Sequence, residues 1–143
     1  MKKPEPEVGL VIRYDFLWSH EREKGFDTGV KDRPCVIVTA IVRKADGVTE
    51  VLLAPITHSP PEDGTAALEV PTKVGKHLGL DEERSYIIAD ETNSVAWDDA
   101  GIVPAEPGKR WAYGRVPKAL SDQLRASMID LISKTKLKSG RRS

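Results

Sequence analysis

Pro34-Cys35-Val36-Ile37-Val38-Thr39-Ala40-Ile41-Val42-Arg43, then Ala45-Asp46-Gly47, then Val48-Thr49-Glu50-Val51-Leu52-Leu53-Ala54-Pro55-Ile56 is the stretch that decides the fold. Both flanking runs are rich in β-branched residues, which fit a pleated, half-buried surface. The Asp-Gly between them is a tight-turn signal, so the whole reads as a β-hairpin. At its open end, Lys31-Asp32-Arg33-Pro34 leads into the first strand, and Pro55-Ile56-Thr57-His58 leaves the second. An arginine at the mouth of one strand and a threonine hydroxyl at the end of the next can converge on a single anion. That pairing points to phosphate chemistry.

Working outward, Val8 to Tyr14 predicts an earlier strand, carried on by Phe16-Leu17-Trp18. The polar segment from Ser19 to Asp32 reads as a solvated loop, long for a hairpin connection, and loops of that length are more often functional or mobile. Beyond the hairpin, Thr57 to Gly64 is a surface loop with Ser-Pro-Pro and Asp-Gly. Ala67 to Pro71 predicts a short fourth strand, followed by a segment of weak pattern around Gly75 and Gly79. Ser85 to Ala89 predicts a fifth strand that ends in Asp90-Glu91-Thr92-Asn93. The stretch from Trp97 to Gly108 is rich in turn residues, and Lys109 to Arg115 supplies a last short strand. From Pro117 the period becomes helical, and Leu120, Leu124, Met128, Leu131 and Ile132 form one apolar stripe, with Ile129 off its centre. Residues 135–143 read as a basic, frayed, disordered tail behind a single domain spanning 1–134.

The chain has 143 residues, enough for one core, with 39% hydrophobic and 31% charged residues, so a disordered chain is excluded. Its formal net charge is +0, so contact with nucleic acid must come from a local patch rather than a global field. The charge is unevenly spread: Asp81 to Glu106 is acidic but for Arg84, and the tail carries only basic charge. One cysteine, Cys35, rules out an internal disulfide framework and reads as a buried small hydrophobe. The three histidines, His20, His58 and His77, are too scattered for a metal motif. No apolar run approaches membrane-spanning length, so the expectation is a soluble, cytoplasmic protein without membrane contact.

Several of these segments, in this order, resemble the PemK/MazF family of toxins from type II toxin–antitoxin systems, the PemK branch most of all. They are a strand ending at Trp18, the loop pair His20-Glu21, Arg33-Pro34 before an apolar strand, and Pro55-Ile56-Thr57 closing the next. Asp90 behind Ile87-Ile88-Ala89 and Gly114-Arg115-Val116-Pro117-Lys118-Ala119-Leu120 opening the last helix complete the set. The resemblance covers roughly Val8 to Ile132. It implies a mainly β fold with a C-terminal α-helix, a small half-open antiparallel SH3-like barrel, and a homodimer. It also implies an endoribonuclease that cleaves single-stranded RNA without a metal ion or other cofactor, held in check by a cognate antitoxin protein. Ile88 departs from the branch, which carries arginine at that position. A barrel of the same shape that binds RNA or a protein partner without cleavage is therefore the alternative expectation.

Metal-free cleavage needs a base for the ribose 2′-OH, an acid for the 5′-oxygen, and donors to the phosphate oxygens. Arg33 suits the last role because its guanidinium stays charged and donates two parallel bonds, and Thr57 adds a neutral one. Asp90 is the candidate base and His20 the candidate acid. Glu21, His58 and Lys31 are candidate substrate-binding residues, and His58 can replace His20. Each has a plainer reading beside it. Arg33 can pair with Asp32 or Glu23, Thr57 can cap its strand, and Asp90 can close an Asx-type turn. His20, Glu21 and His58 can be ordinary loop residues. Trp18, Trp97 and Trp111 read as core or dimer-interface residues, and His77 is assigned no role.

Overall fold

Cys35, Val36, Ile37 and Val38 are all buried, and in an extended chain such neighbours must face opposite sides of their sheet. The computed structural model, which describes residues 2–80, 84–134 and 137–141, accordingly has a core on each face. Val11, Val36, Val38, Ala54 and Ile56 lie on one side, and Ile12, Cys35, Ile37, Val51 and Leu53 on the other.

The elements follow in the order β1 (Leu10–Tyr14), α1 (Ser19–Glu23), β2 (Arg33–Val42), β3 (Thr49–Thr57), β4 (Ala67–Glu69), α2 (Thr72–Leu78), β5 (Tyr86–Ile88), β6 (Glu91–Ala96), β7 (Ile102–Val103), β8 (Gly114–Arg115), α3 (Lys118–Ser133) and β9 (Lys138–Arg141). The expected hairpin is β2 and β3, antiparallel from Cys35 opposite Pro55 to Val42 opposite Thr49, with an irregularity between Ile37 and Thr39. β1 pairs with β2 along one side and with β7 and β8 along the other.

β3 is the branch point. Glu50 to Leu53 pair with β6, whereas Ile56 and Thr57 pair with β5. Pro55, which has no N–H to donate, falls in the gap between those two partners. The sheet is mainly antiparallel and, among the described residues, stays open, since neither β4 nor β9 on one side pairs with β7 or β8 on the other. α3 covers one face through Leu120, Leu124 and Met128. Those three recur every fourth residue, which stacks them on one side of the helix. Among the described residues no helix is long and apolar enough to cross a membrane.

The structure corrects the sequence reading in seven places. The first strand stops at Tyr14. The loop after it opens with α1, because the Glu21 carboxylate accepts the Trp18 N–H at 2.9 Å, satisfying a donor that a helix start leaves open. The weak segment after Pro71 is α2, closed by Gly79 in the left-handed region at φ 71°. Glu91 to Asn93, behind Asp90, do not merely follow a strand but begin another, β6. The last strand shrinks to Gly114–Arg115, and Ile132, expected on the buried stripe, is 59% exposed beside Ile129 at 66%. Finally, the tail is not frayed throughout: Lys138 to Arg141 run parallel to Glu91 to Ser94 as β9. The remaining tail residues 135–136 and 142–143, and 81–83 of the acidic stretch, lie outside the described residues.

Candidate functional site

Cys35 faces Pro55 in the last pair of the β2–β3 ladder, and Arg33 and Thr57 lie two residues beyond it on their strands. Both therefore stand at the open end of the hairpin, beside the corner where β5 ends and β6 begins. A cleft of about 600 Å³ opens there, and its lining includes Arg33, Thr57, Asp90, His20, Glu21 and Lys31. Trp18, Ile88, Glu91 and Lys138 complete its walls, with Ser59 to Glu62 along one rim. Six of the seven residues singled out from the sequence thus share one cleft.

Arg33 is the most enclosed of the cations in the cleft lining. The side chain is half-buried, and its Nε is enclosed without a hydrogen-bond partner. Its guanidinium carbon lies 5.1 Å from the centre of the Trp18 ring, where the negative face of the indole attracts a cation. Burial lowers its pKa, with Cys35 and Glu21 opposing. The plainer reading, an ion pair with Asp32, is not realised: Asp32 pairs with Arg13 at 3.3 Å. Among the described residues the Arg33 guanidinium forms no ion pair. A buried donor left open in this way is costly unless something else accepts from it.

Thr57 carries out its plainer role as well, accepting the Ser59 N–H at 3.2 Å, which leaves its hydroxyl hydrogen free to donate. The Asp90 carboxylate reaches across to the Ala66 N–H at 3.4 Å, and its carbonyl accepts from the Lys138 N–H at 2.9 Å. His20 is exposed on α1, its ring stacked 6.5 Å from that of Trp18 at an interplanar angle of 18°. Glu21 is 4% exposed and spent on the Trp18 N–H, so it shapes the wall rather than offering a free carboxylate. Lys31 is exposed on the approach to β2.

Two polar side chains of β6 fix the wall that carries His20. The Asn93 side chain pairs with the backbone of Leu17 in both senses, accepting its N–H at 2.8 Å and donating to its carbonyl at 2.9 Å. The Glu91 carboxylate accepts the Ser19 N–H at 2.7 Å. β6 thereby holds the chain on either side of Trp18.

His58 departs from expectation. It does not line the cleft, and its Nδ1 lies 3.1 Å from Ser85 Oγ and 3.3 Å from the Arg84 carbonyl. Sequence reasoning missed Trp18 as a cleft residue, although the cation–π partner stands in the same stretch of chain. It also missed Lys138, for which no local signal exists. Trp97 and Trp111 sit elsewhere, 6.2 Å apart, with the Lys3 ammonium over both rings at 4.4 and 5.3 Å. Among the described residues no group of three His, Cys, Asp or Glu side chains is placed to hold a metal ion. No protein-family model, curated protein or solved structure matches the chain.

Proposed function

We propose that the protein is an endoribonuclease that cleaves single-stranded RNA by attack of the ribose 2′-OH on the adjacent phosphate. The observation that carries this reading is the half-buried Arg33 guanidinium, in no ion pair among the described residues and with its Nε unsatisfied, in a cleft that also holds Thr57, Asp90 and His20. In the reaction Asp90 takes the 2′-hydroxyl proton as the 2′-oxygen bonds to phosphorus. The bond from phosphorus to the 5′-oxygen breaks, His20 supplies the proton that oxygen needs, and a 2′,3′-cyclic phosphate remains. Arg33 and Thr57 donate to the equatorial oxygens, where charge accumulates. Histidine suits the acid because its ordinary titration range lies close to neutrality.

In this reading the open sheet is a half-open SH3-like barrel of the PemK/MazF kind. The protein works in the cytoplasm as a homodimer, and a cognate antitoxin covers the cleft. Ile88, 4% exposed and lining the cleft, favours a second reading in which the same cleft binds RNA without cutting it.

The test incubates purified protein with mixed-sequence RNA in EDTA and looks for cyclic-phosphate ends. Wild type should cut, and Arg33→Ala should cut about a hundredfold more slowly, the usual cost of losing one donor to a developing charge. Cleavage abolished by EDTA, or unchanged in Arg33→Ala, refutes the mechanism. Binding without any cyclic-phosphate product selects the second reading.

A further inference from the structure

The tail strand β9 is fastened at every residue. The Lys138 N–H donates to the Asp90 carbonyl, and Thr92 Oγ1 donates to Ser139 Oγ at 3.0 Å. The Ser139 carbonyl accepts from Arg22 of α1 at 3.2 Å. Gly140 is buried against the Arg22 side chain, so closely that a Cβ there would sit 2.7 Å from the guanidinium carbon. Arg141 reaches Glu50 at 3.4 Å. These contacts set Lys138 level with Glu91 in the ladder and in the lining of the same cleft as Arg33, Thr57 and His20. Its exposed ammonium forms no ion pair among the described residues, and the Asp90, Glu91 and Glu21 carboxylates that line the cleft with it each already accept a backbone N–H. Glu91 accepts from Ser19, and Glu21 accepts from Trp18. A cation held on ordered backbone at the rim of this cleft, in no ion pair among the described residues, is placed to meet a negative charge on a ligand.

We infer that Lys138 is a phosphate-binding residue of this cleft, contacting the RNA backbone beside the phosphate that Arg33 holds, so that the C-terminal strand is part of the binding site. The inference rests on the RNA reading proposed above. Lys31 and Arg33 enter the cleft from β2 and the chain before it, and Lys138 enters from β9 beside the Asp90 corner. A single strand of RNA crossing the cleft therefore meets positive charge on both sides of the reacting position. Lys138 holds the substrate and takes no part in proton transfer.

The experiment measures binding of a fluorescent single-stranded RNA, 2′-O-methylated so that it cannot be cut, by anisotropy across a potassium chloride series. Wild type is compared with Lys138→Ala, Lys138→Arg and Lys134→Ala. The last removes an equal charge at the end of α3, where Lys134 pairs with Asp130. Lys138→Ala should weaken binding by up to about fivefold, the scale of one exposed ion pair. Its slope of log affinity against log salt should shrink by about 0.7, one phosphate contact on a single strand. Lys138→Arg should restore both, Lys134→Ala should leave both as in wild type, and thermal melts should coincide. Identical behaviour of Lys138→Ala and Lys134→Ala, or no RNA binding by wild type, overturns the inference. Wild-type cleavage alongside that identity removes Lys138 alone. A slope change specific to Lys138 in a protein that never cuts RNA removes the nuclease and keeps the contact.

Discussion

Replacing Asn93 by alanine strands two backbone groups at once. The side chain is 3% exposed, and its amide satisfies both the N–H and the carbonyl of Leu17, itself 8% exposed, while also donating to the Thr92 carbonyl at 3.0 Å. Each buried group left without a partner costs about 1–3 kcal/mol. Water admitted by the smaller side chain relieves part of that, so the expected loss is about 3 kcal/mol. For a chain of this length such a loss lowers Tm by about 10 °C. Asn93→Asp separates geometry from volume: it keeps an acceptor for the Leu17 N–H but turns a carboxylate oxygen toward the Leu17 carbonyl, so it should be no more stable than the alanine variant. Urea denaturation of the three proteins, followed by far-ultraviolet circular dichroism, measures the difference directly. A loss below about 1 kcal/mol for Asn93→Ala, less than one stranded group costs, would show that the Leu17 pairing does not hold the wall, and the account of how His20 is positioned would fall with it.

Gly29→Ala should destabilise by about 2 kcal/mol or more through backbone displacement, because a Cβ there would lie 2.1 Å from the Phe16 carbonyl oxygen and 2.7 Å from that of Asp15; a urea midpoint equal to wild type contradicts this. The Glu50 carboxylate accepts from Ser94 and faces Arg141 and Arg43, which together hold its pKa below the usual 4.5. A carboxylate depressed in the folded state adds stability above its unfolded value and loses it as the pH falls through the folded one. Glu50→Gln should therefore be less stable than wild type at neutral pH, and the two should converge in acid; a gap in melting temperature that stays constant from pH 7 to below that range counts against the linkage.

What the sequence made legible divides along physical lines. The β2–β3 hairpin and α3 announce themselves because burial there is apolar and local in pattern: β-branched runs around Asp-Gly, and Leu120, Leu124 and Met128 at four-residue spacing. Arg33 and Thr57 were legible as a pair for the same reason, since a hairpin register brings together residues at its open end. β6 was hidden because Thr92 and Asn93 are buried as polar residues, and polarity on a strand reads as solvent exposure until the partners, Leu17 and Ser139, are known. α2 carries a single buried residue, Leu78, too little for an amphipathic signal. β9 pairs with a strand some 47 positions away, and no local propensity encodes a partner at that distance. His58 misled through its neighbour: it lies in the bend just past the end of β3, where the chain leaves the sheet and its ring meets Ser85 instead of the cleft.

The chemistry of the cleft consequently rests on two kinds of support. Arg33 and Thr57 stand on the most deeply packed ladder in the molecule, with Cys35, Val36 and Ile37 of one strand and Leu53, Ala54 and Ile56 of the other buried just behind them. They lie just past the end of a register that cannot slip without turning both cores inside out. His20 and Lys138 stand instead on segments with little apolar burial of their own, held by hydrogen bonds that nearly all return to β6: Glu91 to Ser19, Asn93 to Leu17, Thr92 to Ser139, with Arg22 tying α1 to β9. Bonds that share one strand do not fail independently. A change in β6 that releases the chain before α1 also loosens the strand that carries Lys138, so the two walls move as a unit relative to the fixed Arg33. On the proposed reading, the pair that would hold the phosphate stands on the better-packed support and the groups around it on the more adjustable one, as suits a cleft that would admit a flexible strand before closing on one of its phosphates.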